Sequence, residues 1–96
     1  MNTFLRTDEF DAWLRELKDQ VAKARIIARI ISAEAGNFGD VESVGEGVSE
    51  LRINYGPGYR VYFKQQRREL IVLLAGGDKS SQAKDIKIAL MLARNL

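Results

Sequence analysis

The sequence predicts a small α+β domain, and three observations support this prediction. Apolar residues recur at three- and four-residue steps from residue 10 to residue 31, which is the period of an amphipathic helix. Three runs of aliphatic, aromatic and β-branched residues follow between residues 51 and 75. A second helical pattern ends the chain. With 96 residues and 46% hydrophobic content, we expect one domain, residues 1–96, around one core.

The N-terminal third is predicted to be a short strand followed by a helical hairpin. Residues 3–6 (TFLR) suit a strand, and Thr7 followed by two acids has the pattern of a helix N-cap and first turn. The helical period then continues to Gly36, a suitable C-terminal cap. One straight helix would be about 40 Å long at 1.5 Å per residue, so we expect a bend near residues 18–20.

The C-terminal half is predicted to be a three-stranded antiparallel meander followed by a helix. A glycine-rich segment before the first strand is predicted to be an irregular loop with a short extended piece. The third strand, LIVLLA, is apolar at every position, as expected for a strand covered on both faces. The predicted strands are residues 51–55, 59–64 and 70–75, and the helix is residues 81–94.

The hairpin around GPG is predicted to have one apolar and one polar face. If GPG is a three-residue loop, Ile53 pairs with Val61 on an apolar face. The other face then carries the arginines, where guanidinium groups can meet phosphate. A solvated face with ordinary ion pairs explains the same pattern. The pairs predicted on this face are Asn54 with Arg60, Arg52 with Tyr62 and Glu50 with Lys64.

Further cations are candidates for the same surface. An antiparallel third strand runs back toward Tyr59, so GGDKSSQ should emerge near Arg60 and bring Lys79 to it. GGDKSS is not interpreted as a phosphate-binding P-loop, because Asp78 separates glycine from lysine and the upstream glycine is missing. Three more cations can share one face of the helical hairpin: Lys18, Arg25 and Arg29. The favoured interpretation is that this face is simply exposed to solvent.

Composition excludes several kinds of chemistry. The chain has no Cys and no His, which excludes disulfides and thiolate catalysis and removes the usual general base. The acids show no metal-ligand spacing, so we expect neither a metal nor another cofactor. No apolar run reaches the roughly 20 residues of a membrane helix and no signal segment is present, so the expected compartment is the cytoplasm. Residues 51–96 carry nine bases and three acids, which indicates an anionic partner.

The runs GVSELRINYGPGYRVYF and IVLLAGGDKSSQAKDIKIA, with FDAWLRELKD, ARIIARI and GNFGD upstream, resemble a known family. They are similar to the toxins of bacterial type II toxin-antitoxin systems in the RelE/ParE superfamily, in particular the HigB-like addiction module killer proteins. The resemblance covers nearly the whole chain. It implies a RelE-like fold and a ribosome-dependent mRNA endoribonuclease, neutralised by a cognate antitoxin with a helix-turn-helix DNA-binding domain.

The resemblance also implies a site and a mechanism. Cations on the sheet and after its last strand act on the scissile phosphate, and by motif these are Arg52 of ELR, Arg60 of GYRVY and Lys79 of GGDKS. The ribose 2'-hydroxyl attacks this phosphate without a metal and leaves a 2',3'-cyclic phosphate and a 5'-hydroxyl. Three other residues of the polar face are expected to contact the substrate: Tyr62, Lys64 and Glu50. Of these, Tyr62 and Glu50 are the candidates for proton transfer.

Two other functions remain open at this point. The first is a ParE-like toxin that inhibits DNA gyrase by binding and has no active site of its own. The second is a non-catalytic module whose basic face binds an acidic partner. Transcript cleavage with growth arrest distinguishes the endoribonuclease from the gyrase inhibitor, which would leave transcripts intact and induce a DNA-damage response.

Overall fold

The computed structural model describes residues 2–96, which form one five-stranded sheet and three helices. The prediction of an α+β fold is confirmed. The strands are β1 (Thr3–Arg6), β2 (Val41–Gly45), β3 (Val48–Ile53), β4 (Tyr59–Arg67) and β5 (Leu70–Asp78). The helices are α1 (Asp8–Glu16), α2 (Gln20–Glu34) and α3 (Gln82–Arg94), with a single 3-10 turn at Lys79–Ser81 before α3.

The sheet is mixed, with the strand order β1-β5-β4-β3-β2. Strand β1 runs parallel to β5, and every other neighbouring pair is antiparallel. The predicted three-stranded meander is therefore the centre of a larger sheet, which β1 and β2 extend at its two edges. The extended piece expected in the glycine-rich segment is the strand β2, which pairs with β3 from Val41 opposite Leu51.

The helical hairpin has the predicted break and the predicted N-cap at Thr7, and α2 ends at Glu34, two residues before Gly36. The Thr7 hydroxyl accepts from the Phe10 amide at 3.0 Å and donates to the Leu74 carbonyl at 2.5 Å, so it both caps α1 and attaches it to β5. Asp19 caps α2 with a carboxylate oxygen that accepts from the amides of Val21 and Ala22. The bend lies between the two helices, as the sequence indicates.

The sheet is covered on both faces, which corrects the expectation of one core. Helices α1 and α2 pack on one face, where Phe10 and Ile26 lie against Leu51, Val61 and other buried strand residues. Helix α3 packs on the opposite face, in a second cluster that includes Val48, Tyr62, Val72, Leu74, Ala89 and Ala93. The face predicted to be polar is therefore partly covered by α3, with Glu50 and Tyr62 buried, and the predicted double coverage of β5 is confirmed.

The predicted register of the β3–β4 hairpin is wrong by two residues. Arg52 lies opposite Arg60, Ile53 opposite Tyr59, and the connection has five residues, 54–58, instead of three. The Gly58 amide donates to the Tyr55 carbonyl at 3.1 Å, so Tyr55 belongs to the turn and not to the ladder. Because the error is an even number of residues, each side chain keeps its predicted face although its partner changes.

Candidate functional site

Arg60 and Lys79 line one cavity at the end of the sheet. The cavity has a volume of about 340 Å³, and residues 54–58 of the hairpin connection form its other walls. Strand β4 supplies Arg60, and the pairing of Tyr59 with Asp78 brings the residue that follows β5 to the same end. The expectation that Lys79 lies near Arg60 is confirmed as a matter of position.

The 3-10 turn holds Lys79 at this edge. Asp78 accepts hydrogen bonds from the amide and the hydroxyl of Ser80, at 2.9 Å and 2.5 Å. The Ser81 hydroxyl binds the Asp85 carboxylate and also completes a capping box with Asp78. Asp78 therefore has a structural role, and the Lys79 side chain remains exposed beside the cavity.

The Arg60 guanidinium is mostly buried and is directed by the protein. Its side chain is 13% exposed, and one terminal nitrogen donates to the Gly58 carbonyl at 2.9 Å. Its Nε lies 3.6 Å from the Glu50 carboxylate and, within residues 2–96, has no hydrogen-bond partner. A buried cation with unused donors, at the wall of a cavity, can bind an oxyanion that enters it.

Glu50 is a buried carboxylate that connects β3, β4 and α3. Glu50 is 1% exposed. Its carboxylate oxygens accept from the Arg52 Nε at 2.9 Å and from the Gln82 side-chain amide at 3.0 and 3.3 Å. Together with Arg60, these contacts account for the burial of a charged group, which is costly without partners. Glu50 does not line the cavity, so its geometry is that of a residue that positions the two arginines.

Arg52 lies across the strand pair from Arg60 but faces a different environment. Its guanidinium contacts the carboxylates of Asp40, Glu42 and Glu50, with distances of 3.9 Å to Asp40 and 2.9 Å to Glu50. It does not line the cavity that holds Arg60 and Lys79. The structure therefore brings two of the three predicted cations together and places the third among acids.

The remaining predicted substrate contacts lie away from the cavity. Tyr62 is 0% exposed under α3, its hydroxyl has no hydrogen-bond partner within residues 2–96, and burial, with the charge of Glu50, raises its pKa to about 12. A general base near neutral pH needs the opposite shift. Lys64 follows Arg60 by four residues on β4, about 13 Å at 3.3 Å per residue, and lies opposite Val48 rather than Glu50.

Sequence reasoning missed the acids that surround Arg52 and the amide that binds Glu50. Asp40 immediately precedes β2 and Glu42 lies within it, and a spacing of two residues in extended chain points both side chains the same way. That spacing, beside an arginine-bearing strand, is the signal that indicates the ion pairs. Gln82 gives no comparable signal, because only the packing of α3 on this face brings it to Glu50.

Two features of residues 2–96 bear on metal binding and on membrane insertion: how the potential ligand side chains are grouped, and how long and apolar the helices are. Within residues 2–96, no group of three or more His, Cys, Asp or Glu is arranged to hold a metal ion. Among the same residues, no helix is both long and apolar enough to cross a bilayer.

Comparison with known proteins assigns the chain to a class and then to a family. The family model of the phage-derived Gp49-like proteins (DUF891) matches residues 12–95. A protein of Haemophilus influenzae, named only as an uncharacterized protein, is 58% identical over 87 residues, which is 91% of this chain and 88% of that protein. The chain is thus a toxin-like protein of addiction modules. It belongs to the Gp49-like family, which is associated with toxin-antitoxin systems and so with pairing to an antitoxin.

Proposed function

We propose that this protein is the toxin of a HigB-like type II toxin-antitoxin pair in the RelE/ParE superfamily and that it cleaves mRNA on the ribosome. The observation that carries the proposal is the shared cavity of Arg60 and Lys79, two cations that come from separate segments and converge on one space. The family's association with toxin-antitoxin systems supports the toxin role. The arginine and the lysine suit a phosphate group, which is the reacting group of RNA cleavage.

In the proposed reaction, the ribose 2'-oxygen forms a bond to the adjacent phosphorus and the bond to the 5'-oxygen breaks. The 2'-hydroxyl loses its proton and the 5'-oxygen gains one, so the products are a 2',3'-cyclic phosphate and a 5'-hydroxyl. Negative charge accumulates on the phosphate oxygens in the transition state, and Arg60 and Lys79 stabilise it. Removing one preorganised donor of this kind typically lowers the rate by about 100- to 1,000-fold.

The other residues of the polar face act indirectly in this proposal. Glu50 holds Arg60 in place, and Arg52 holds Glu50, so both are positioning residues. The ribosome positions the mRNA and supplies groups for proton transfer, since Tyr62 and Glu50 are buried away from the cavity. The cognate antitoxin, a helix-turn-helix protein, would neutralise the activity.

Induced expression in bacteria tests the proposal. Wild-type protein should arrest growth and produce transcript ends with 5'-hydroxyl and 2',3'-cyclic phosphate groups. Arg60→Ala and Lys79→Ala should abolish both effects, while the charge-matched surface variants Arg68→Ala and Lys87→Ala should retain them. Binding of each variant to the antitoxin encoded beside it shows that the fold is intact.

The alternatives give different results in the same experiment. Growth arrest with intact transcripts and an induced DNA-damage response would contradict the endoribonuclease and support gyrase inhibition. Absence of arrest, with the protein folded and abundant, would support a binding module. Transcript ends carrying a 3'-hydroxyl and a 5'-phosphate would also overturn the proposed chemistry.

A further inference from the structure

A second cavity adjoins the one that holds Arg60 and Lys79. It has a volume of about 380 Å³ and lies between α2 and the start of the hairpin connection. Asn54 lines both cavities, so the two spaces are separated by a single exposed residue. Lys79 and Arg60 line one cavity and the cations of α2 line the other, so the two cavities meet at Asn54.

Arg25 is the cation of this second cavity that is available to a ligand. It is exposed, and its guanidinium carbon lies 4.7 Å from the centre of the Tyr55 ring. Within residues 2–96 it makes no ion pair within 4 Å. The ring contact restrains the guanidinium plane and leaves its N–H edge unused, which is the arrangement that suits a phosphate.

The other charged groups near this cavity are already engaged. The Arg29 guanidinium donates to the carbonyls of Arg52, Phe38 and Asp40, the last two at 2.8 and 3.2 Å, and so fastens the chain before β2. The Asp40 carboxylate accepts from Asn54 at 3.3 Å and lies 3.9 Å from an Arg52 nitrogen. Asp19 caps α2. The Asp19 carboxylate also lies near the hydroxyl of Tyr55, the ring that Arg25 contacts, but Arg25 makes no ion pair within 4 Å with any residue of 2–96.

We propose that the second cavity is a phosphate subsite for the same strand of RNA, with Arg25 bound to the phosphate of a nucleotide neighbouring the cleaved linkage. This inference rests on the proposed function and extends it to a second contact. A single strand fits the two cavities better than a duplex, because it can bend over Asn54 between them. Asn54 is exposed, and while its Nδ2 donates to Asp40, its amide oxygen can accept from a base edge, as side chains do in single-stranded RNA recognition.

Salt-dependent binding tests the subsite. The probe is a fluorescent single-stranded RNA with 2'-O-methyl riboses, which has no attacking hydroxyl and cannot be cleaved. Fluorescence anisotropy across a series of NaCl concentrations gives the slope of log K against log salt. Loss of one phosphate contact on a single strand reduces that slope by about 0.7. We expect this reduction for Arg25→Ala and a slope close to wild type for Arg25→Lys.

The matched control is Arg68→Ala, which removes the same charge at the turn between β4 and β5, and its slope should equal that of wild type. Tyr55→Leu removes the ring under Arg25 and should weaken binding with a smaller change in slope. Circular dichroism of each variant checks that it is folded.

Two results would overturn the subsite. One is a wild-type slope for Arg25→Ala, or an equal reduction in Arg25→Ala and Arg68→Ala. The other is the absence of measurable binding by wild type at the lowest salt. Failure of the subsite is distinct from failure of the proposed function. If transcript cleavage in cells is lost in Arg60→Ala but retained in Arg25→Ala, the proposed endoribonuclease activity is supported and the contact of Arg25 with RNA is not.

Discussion

Arg52 and Arg60 are direct cross-strand partners, and the buried carboxylate of Glu50 binds both. Two like charges opposite each other destabilise a strand pair. Glu50 offsets this repulsion by pairing with both arginines, whose surroundings differ: Arg60 lines a cavity and Arg52 faces acids. The stability of the sheet and the geometry of the candidate site therefore depend on the same side chain.

Glu50→Ala should be strongly destabilising. It leaves two arginines and the Gln82 amide without their shared acceptor, and breaking a buried ion pair in this way costs about 3–5 kcal/mol. Glu42→Ala removes another carboxylate from the same Arg52, but this carboxylate is 58% exposed. An exposed pair contributes at most about 1 kcal/mol. Urea denaturation of both variants checks the difference, and equal losses of unfolding free energy would contradict the role of Glu50.

Lys79→Ala should separate activity from stability. Its side chain is exposed, so the free energy of unfolding should change by less than about 0.5 kcal/mol. The rate of mRNA cleavage with translating ribosomes should fall by about 100-fold or more. Arg52→Ala should lower both quantities, because it removes a partner of the buried Glu50. A cleavage rate for Lys79→Ala equal to that of wild type would exclude Lys79 from the site.

Tyr62→Phe should be tolerated at neutral pH and should change the stability of the protein in alkali. Phe retains the ring and removes a buried hydroxyl that has no partner within residues 2–96, so stability should be equal or higher at pH 7. Cleavage should be unchanged if Tyr62 does not touch RNA. A large loss of cleavage in a folded Tyr62→Phe protein would restore this residue to the substrate-binding set.

The pH dependence follows from the pKa of Tyr62, which is about 12 in the folded protein, whereas the ordinary pKa of a tyrosine is 10.0. Between these values the unfolded chain holds fewer protons than the folded one, so stability falls as the pH rises from about 10 to about 12. The slope attributable to one such group reaches about 1.4 kcal/mol per pH unit. Chemical denaturation between about pH 9 and about pH 12 should show this slope in wild type and a shallower one in Tyr62→Phe.

Gly76→Ala should disturb the packing of α1 on β5. A Cβ at Gly76 would overlap the indole of Trp13, which itself packs beside Phe10 and Tyr59. Overpacking of this kind costs about 1–3 kcal/mol. Trp13 is the one tryptophan of the chain, so its fluorescence reports the displacement directly. In the control Gly36→Ala, the new Cβ meets no atom within 4 Å and strains only the backbone, so the emission should be unchanged.

The helices and central strands can be predicted because their signals are local. The cap at Thr7 and the apolar period of α1 and α2 depend on neighbouring residues alone. Strand β2 is predictable only as an extended piece, because four of its five residues are exposed and no apolar alternation marks it. The parallel pairing of β1 with β5 joins residues about 67 positions apart, and no short-range pattern encodes such a contact.

The candidate site can be predicted in part for the same reason. The face of each hairpin residue follows from alternation, and the antiparallel return of the third strand correctly predicts that Arg60 and Lys79 lie at one end of the sheet. Glu50 and Tyr62 are buried because α3 packs on their face of the sheet. The amphipathic pattern of a helix does not indicate which face of a sheet it will cover. The cross-strand partner of Arg52 depends on the length of the turn between β3 and β4. This turn has two more residues than predicted, because the hydrogen bond from Gly58 to the Tyr55 carbonyl makes Tyr55 part of it.

The contact between Gln82 and Glu50 has a temporal consequence. The arginines are carried by β3 and β4, but the carboxylate that orders them is itself held by a residue near the C-terminal end of the chain. During synthesis, the cavity wall therefore lacks its final support, and Lys79 is not yet beside Arg60, until the last third of the polypeptide has emerged and docked. The arrangement that brings Arg60 and Lys79 to one cavity is thus completed only when α3 has docked on the sheet.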